Sequence, residues 1–265
     1  MRVSALTEAM TRRTLAWAGG CLLGAAALAA VYLSWLPDVT ELRSSNPMTT
    51  QYVRIYVQRM LRTGNKPAVS MRWVPLEEIS PNLQKAVLIA EDDRFYRHRG
   101  VDWESFEGAI RYNWSKRKFA RGASTITQQV ARNLFLSPSR SPMRKLKETL
   151  IARYLERELG KPRILEIYLN IAEWGEGVFG AEAASQAYFG RHASDLSVEE
   201  AVDLAMALPS PYERNPDKPA SEQLLKLREL YLERMRRAGY SPEEDAGPGG
   251  QEPLEIEYTR TGEKP

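Results

Sequence analysis

Cysteine occurs once in the 265 residues, at Cys21, and histidine twice, at His98 and His192. A single thiol excludes a disulfide within the chain, and so few soft or imidazole ligands argue against a zinc centre, so no metal ligands are assigned. An excess of one charge is also missing. Thirty-seven Lys and Arg against 34 Asp and Glu leave a net +3. That surplus suits a phosphorylated or polyanionic partner but falls well short of a nucleic-acid-binding signature. No convincing run of alternating polar and apolar residues marks a strand, and there is no internal repeat.

One long hydrophobic run stands out. From Leu15 to Pro37 no charged residue occurs, and about 23 residues suffice to cross the ~30 Å hydrocarbon core of a bilayer as a helix. Arg2, Arg12 and Arg13 precede it. Positive flanks stay cytoplasmic, so residues 1–14 are expected in the cytoplasm and the chain after Asp38 outside it. Ala27-Leu28-Ala29 has the small-x-small form of a signal-peptidase site, but the apolar stretch continues past it to Leu36, which favours an uncleaved anchor over 15–37.

With 43% apolar residues, the rest of the chain can bury one substantial core. Residues 38–68 read as a connector around Gln51–Arg62, a basic amphipathic stretch that fits equally a membrane surface or a helix packed on the main domain. A globular domain is expected over 69–240. Ser80 is a plausible N-cap with Pro81 at the first helical position, opening a helix that ends at Glu91. Further helices are expected at about 103–114, 124–134, 142–159, 162–171, 179–188, 197–208 and 221–237. Residues 241–265, rich in Gly, Pro and Glu, read as a disordered, solvated tail.

Four segments carry candidate chemistry. Glu91-Asp92-Asp93 follows directly on an apolar helix and runs into Arg94-Phe95-Tyr96-Arg97-His98-Arg99-Gly100-Val101-Asp102. At a helix C-terminus beside apolar residues, dipole and desolvation both disfavour an ionised Glu91 and push its pKa toward that of a useful base. Taken alone, the segment reads more readily as an exposed helix end laced with ion pairs. Gly122-Ala123-Ser124-Thr125-Ile126-Thr127-Gln128-Gln129 leads through Arg132 to Asn133 and offers uncharged donors suited to sugars, with helix-start amides for an anion. A capped helix with a polar face would look the same. In Arg140-Ser141-Pro142-Met143-Arg144-Lys145-Leu146-Lys147-Glu148, Arg144 and Glu148 share a helix face by their spacing of four, while Met143, Leu146, Leu150 and Tyr154 form an apolar stripe. By spacing alone the pair is an ordinary helix salt bridge. The fourth segment, Ile164 to Gly180, empties a helix into Gly175, Gly177 and Gly180, where tight backbone approach is expected.

Taken in order, the segments EDDRF..H.GVD from Glu91, GASTITQQ from Gly122, RKLKE from Arg144, ILEIYLNIAEWGEGVFG from Ile164, and Leu196 to Pro216 with Leu208-Pro-Ser-Pro-Tyr resemble glycosyltransferase family 51. Within it, the likeness is to the monofunctional peptidoglycan transglycosylases of Gram-negative bacteria. The resemblance spans about 70–216. It implies a mainly α, lysozyme-like domain with a small membrane-facing jaw subdomain, preceded by one transmembrane helix. It also implies polymerisation of lipid II by inverting transfer of the growing lipid-linked chain onto the 4-hydroxyl of an acceptor lipid II, with release of undecaprenyl pyrophosphate.

Residue by residue, the resemblance implies that Glu91 is the general base and Glu148 the second essential carboxylate beside the departing pyrophosphate. Arg140, Arg144 and Lys145 match phosphate-binding bases, and Ser124, Thr125, Gln129 and Asn133 match polar cleft residues. Arg132 stands where the family usually has Lys; charge is kept but the guanidinium is planar and permanently cationic. No cofactor is firmly implied beyond a divalent cation such as magnesium at the pyrophosphate. The partners implied are lipid II, the growing glycan strand, the inner membrane, and proteins of a cell-wall or division complex, with no nucleic acid. The expected location is the bacterial inner membrane, single-pass, with the catalytic domain in the periplasm. Ser115-Lys-Arg-Lys118 has the S-x-x-K spacing of a transpeptidase, but it lies inside the transferase match and reads as a solvated loop.

Overall fold

Serine and threonine at the expected helix starts set the frame of the molecule. Ser80 accepts from the amide of Asn82 at 3.2 Å, Ser141 from Arg144 at 3.1 Å and Ser221 from Leu224 at 3.3 Å. Thr125 with Gln128 and Ser197 with Glu200 close reciprocal capping boxes. Each such cap contributes about 1 kcal/mol. The computed structural model describes residues 20, 23–24, 27–116, 122, 124–139 and 141–241. Among them the helices are α1 (Gln51–Arg62), α2 (Pro81–Glu91), α3 (Trp103–Lys116), α4 (Ile126–Phe135), α5 (Pro142–Glu158), α6 (Lys161–Ile171), α7 (Ala181–Phe189), α8 (Val198–Ala207), α9 (Pro211–Arg214) and α10 (Glu222–Arg237). The protein is mainly helical, and the helix bounds from α2 onward fall within two residues of the sequence expectation, apart from the short α9, which was not anticipated.

Three short strands were not anticipated. β1 (Ser70–Met71) pairs in parallel with β3 (Val178–Phe179), and β2 (Glu173–Gly175) pairs antiparallel on the other side of β3. Strands of two and three residues are too short to show a period of two in the sequence, which is why they escaped it. The amphipathic segment 51–62 forms α1 and packs on β3. α1 buries Val53 and Tyr56 against Phe179, and the Tyr56 hydroxyl donates to the carbonyl of Ala68 at 3.0 Å.

The core forms where α2 packs on α8 and α10, and where α4 packs on α5 and α6. Phe95, Tyr168 and Trp174 are fully buried within it, and burying large apolar side chains of this kind contributes roughly 1.5–3 kcal/mol apiece. α5 departs from expectation in one respect. Its buried face carries Glu148, Ile151, Ala152 and Leu155, whereas Met143 and Leu146 of the apolar stripe are 38% and 46% exposed. α3 also leaves Trp103, Phe106, Ile110 and Trp114 exposed and buries only Ala109.

Residues 27–34 are helical, but among the described residues no helix is long and apolar enough to cross a membrane. Residues 15–19, 21–22 and 25–26 of the 15–37 run, with residues 1–14, Arg140 and 242–265, lie outside the described residues.

The glycine-rich turn makes the close approaches its composition implied. Gly180 caps α7 at φ +86° and ψ 154°, a region open essentially to glycine alone, and a Cβ there would lie 2.6 Å from the carbonyl oxygen of Asn170. Gly180→Ala is therefore expected to cost ~2–3 kcal/mol and to lower the thermal midpoint by about 5–10 °C. Circular dichroism melts measure this, and an unchanged midpoint would mean the turn can be rebuilt without strain.

Candidate active site

α2 ends at Glu91, and the next residue, Asp92, fixes what stands opposite. The buried Asp92 carboxylate accepts from His98 Nε2 at 2.9 Å and 3.0 Å, and from the backbone amide of Ile126 at 2.9 Å. That second bond attaches the positive end of α4 to the residue beside Glu91. Thr125 completes the joint: its hydroxyl donates to the carbonyl of Gly100 at 2.6 Å while accepting from the amide of Gln128.

Anchored in this way, the first turns of α4 present Gln129 to Glu91. Gln129 Nε2 donates to Glu91 Oε2 at 2.6 Å, and Gln129 Oε1 faces Tyr168 Oη at 3.3 Å and Arg132 Nη2 at 3.4 Å. Burial drives the pKa of Glu91 up; the hydrogen bond from Gln129 and the charge of Arg132 pull it down, Asp92 raises it further, and the net direction is upward. Burial likewise raises the Tyr168 phenol well above its ordinary value, so it stands as a donor toward Gln129. Glu91 opens onto a cleft of about 920 Å³ that is also lined by Ser124, Thr125, Gln129 and Arg132.

The second carboxylate has the opposite surroundings. Glu148 is 1% exposed; one oxygen accepts from Arg144 Nη1 at 2.5 Å and the other pairs with Lys145 Nζ. Lys145 also donates to Ser124 Oγ at 2.8 Å, and Gln128 reaches Thr149 Oγ1 at 3.1 Å. The same helix turn thus meets Glu91 through Gln129 and the Glu148 cluster through Gln128. Among the described residues no three His, Cys, Asp or Glu side chains gather as a metal-binding group. With both oxygens of Glu148 already on cations, these residues do not by themselves fit a resident metal ion.

The structure distributes the sequence candidates unevenly. Glu91, Ser124, Thr125, Gln129 and Arg132 line the cleft, although the Thr125 hydroxyl is committed to its cap and to Gly100. Arg144, Lys145 and Glu148 form a neighbouring cluster joined to it through Ser124. Asn133 is buried, its Oδ1 has no hydrogen-bond partner, and it does not line the cleft. Arg140 lies outside the described residues. Several cleft residues escaped the sequence reading, among them Glu104, Ser105 and Gly108 on α3 and two on α10. Tyr231 and Arg234 reach it from α10, with Arg234 donating to the carbonyl of Ile89 at 3.0 Å and pairing with Asp93 at 3.0 Å. Nothing in the local pattern of α10 distinguishes them from other residues of a charged helix.

A family model described as Transglycosylase matches residues 49–236. A biosynthetic peptidoglycan transglycosylase of Azoarcus sp. (strain BH72) is 46% identical over 204 residues, covering 75% of this chain and 87% of that protein. The protein of the same description from Nitrosomonas eutropha is 43% identical over 215 residues, covering 80% and 87%. That from Methylobacillus flagellatus is 40% identical over 227 residues, covering 85% and 98%.

The raised pKa of Glu91 has a consequence for stability. A group whose folded-state pKa exceeds its unfolded value stabilises the fold while protonated, and that contribution is lost as pH rises through the folded value. Ionising Glu91 is therefore a net cost to the fold. Glu91→Gln is expected to melt above the wild type at neutral pH, with the difference shrinking as pH falls through the carboxylate range. A lower midpoint for the variant at neutral pH would contradict the assigned environment.

Proposed function

We propose that this chain, which belongs to the transglycosylase family and is a peptidoglycan glycosyltransferase, polymerises lipid II by inverting transfer. Glu91 takes the proton from the 4-hydroxyl of an acceptor lipid II as that oxygen attacks the anomeric carbon of the growing lipid-linked chain. The new glycosidic bond forms as the bond to undecaprenyl pyrophosphate breaks. The observation that carries this reading is a carboxylate raised in pKa by burial, oriented by Gln129, and opening on a cleft large enough for sugars. Arg132, with Arg144 and Lys145 beyond Ser124 and with Arg140, supplies cations for the pyrophosphate; guanidinium groups suit that load. Ser124 and Gln129 contribute neutral polar groups, Thr125 acts by fixing the start of α4, and Asn133 stays buried outside the cleft. A magnesium ion at the pyrophosphate would draw its ligands chiefly from phosphate oxygens, since Glu148 is already paired.

Residues 69–240 are assigned as a lysozyme-like catalytic domain, 38–68 as the connector and 15–37 as a single-pass inner-membrane anchor that places the domain in the periplasm. The exposed Trp103, Phe106, Ile110 and Trp114 on α3 support a jaw that faces lipid. Glycan strands and other cell-wall proteins are the expected partners.

Incubating the purified full chain with labelled lipid II and separating products by glycan length tests the reading. Longer strands support transfer, and shortened strands would make the site hydrolytic instead. Glu91→Gln should lower turnover by about 10³-fold with the fold intact; polymerisation near the wild-type rate would refute the mechanism. Glu148→Gln should fail differently, because it strips the largely enclosed Arg144 of its counter-charge and costs about 3 kcal/mol of stability as well as turnover. Arg132→Lys should retain most activity and Arg132→Ala should lose about 10–100-fold in kcat/KM. Unchanged kinetics in the alanine variant would remove Arg132 from the site.

A further inference from the structure

A second groove, of about 930 Å³, shares no lining residue with the catalytic cleft. Its walls are the turn at Tyr96, His98 and Arg99, the helix α5 at Leu150, Arg153 and Tyr154, and the start of α6. Arg99 and Arg153 are exposed and enter no ion pair among the described residues. The only acid in the wall, Glu156, is already taken, since it accepts from Thr127 and from Lys161 at 2.6 Å and 2.7 Å. The groove is therefore cationic in net effect.

Two further observations point to a ligand. His98 has a side chain only 6% exposed, gives Nε2 to Asp92, and leaves its buried Nδ1 with no hydrogen-bond partner while lining the groove. The second is apolar. The stripe on α5 that faces outward, Met143 and Leu146, continues as Leu150 and Tyr154 into the same groove. Lys147 on that helix donates to the carbonyl of Tyr32 at 3.0 Å and lies 4.1 Å from its ring centroid, while Leu36 lines the groove itself. The end of the long apolar run of the sequence thus sits beside it.

Free guanidinium groups at one end of an exposed apolar rail match an amphiphile with an anionic head, and the adjacent apolar run places that amphiphile in a bilayer. We propose that this groove binds the phosphodiester headgroup of an anionic phospholipid, with Arg99 and Arg153 on the phosphate and an acyl chain along the α5 stripe. The choice of a bilayer lipid rests on reading residues 15–37 as the membrane anchor; the anion site itself does not. Such a contact would hold the domain at a fixed height and tilt over the membrane while leaving the catalytic cleft free for substrate.

Native mass spectrometry of the full chain in neutral detergent, titrated with phosphatidylglycerol or phosphatidylcholine, is the test. One phosphatidylglycerol adduct is expected, weakened about tenfold in the Arg99→Gln/Arg153→Gln double variant and restored in Arg99→Lys/Arg153→Lys. Turnover of lipid II in neutral detergent should be unchanged in the double variant. Equal retention of phosphatidylcholine, or a phosphatidylglycerol adduct indifferent to the two arginines, would overturn the proposal. Displacement of the adduct by inorganic phosphate alone would overturn the lipid assignment by reducing the groove to a soluble-anion site. Because the measurement is made in detergent it does not depend on the anchor, which carbonate extraction of cell membranes tests separately.

Discussion

The arrangement of the site depends on one carboxylate that takes no part in the proposed chemistry. Asp92 holds the ring of His98 and the first amide of α4, so the end of one helix and the start of another meet at a buried charge. A buried carboxylate is tolerable only where its oxygens are filled, and Asp92 is filled by a ring nitrogen and a helix N-terminus. From that joint the rest follows in sequence. Gln129 lies one turn along α4 from the anchored amide and reaches Glu91; Gln128, beside it, faces Thr149 and Lys145 on α5. A displacement of α4 would misplace both carboxylates together, which is why caps, polar bonds and a shared core all converge on its first turn.

The two glutamates illustrate how one side chain acquires two characters. Glu91 has an amide donor and a distant cation, too little to offset burial, so its proton is held more tightly than in water. Glu148 has a cation on each oxygen and almost no exposure. Burial without full compensation makes ionised Glu91 costly to the fold, whereas removing either partner of Glu148 would leave an uncompensated charge.

Much of this was legible in the sequence because it rests on local rules. The caps at Ser80, Thr125, Ser141, Ser197 and Ser221 mark the starts of α2, α4, α5, α8 and α10 by chemistry visible within four residues. The environment of Glu91 was legible for the same reason, as a helix end beside apolar residues. What escaped depended on distant partners. The strands at 70–71 and 178–179 are paired across about a hundred residues of chain, with no periodic trace in either. Tyr231 and Arg234 enter the cleft only because α10 packs on α2 and α8. The orientation of α5 was obscured because its buried face holds Glu148, so hydrophobic pattern alone pointed to the wrong side of the helix.

Arg132 shows how a local departure is absorbed by the same frame. Its Nη2 leans on the Oε1 of Gln129 at 3.4 Å, and its buried Nε has no partner in the protein. A donor left in that state costs ~1–3 kcal/mol, a cost that an anionic oxygen in the cleft would relieve on binding. A lysine at this position would place a single freely rotating ammonium there and leave no fixed planar donor. In the proposed reaction the guanidinium would make the grip on phosphate more directional and tie it to Gln129, which donates to Glu91. Under that proposal substrate binding and base positioning are coupled through a single amide side chain, whose two ends face Arg132 and Glu91.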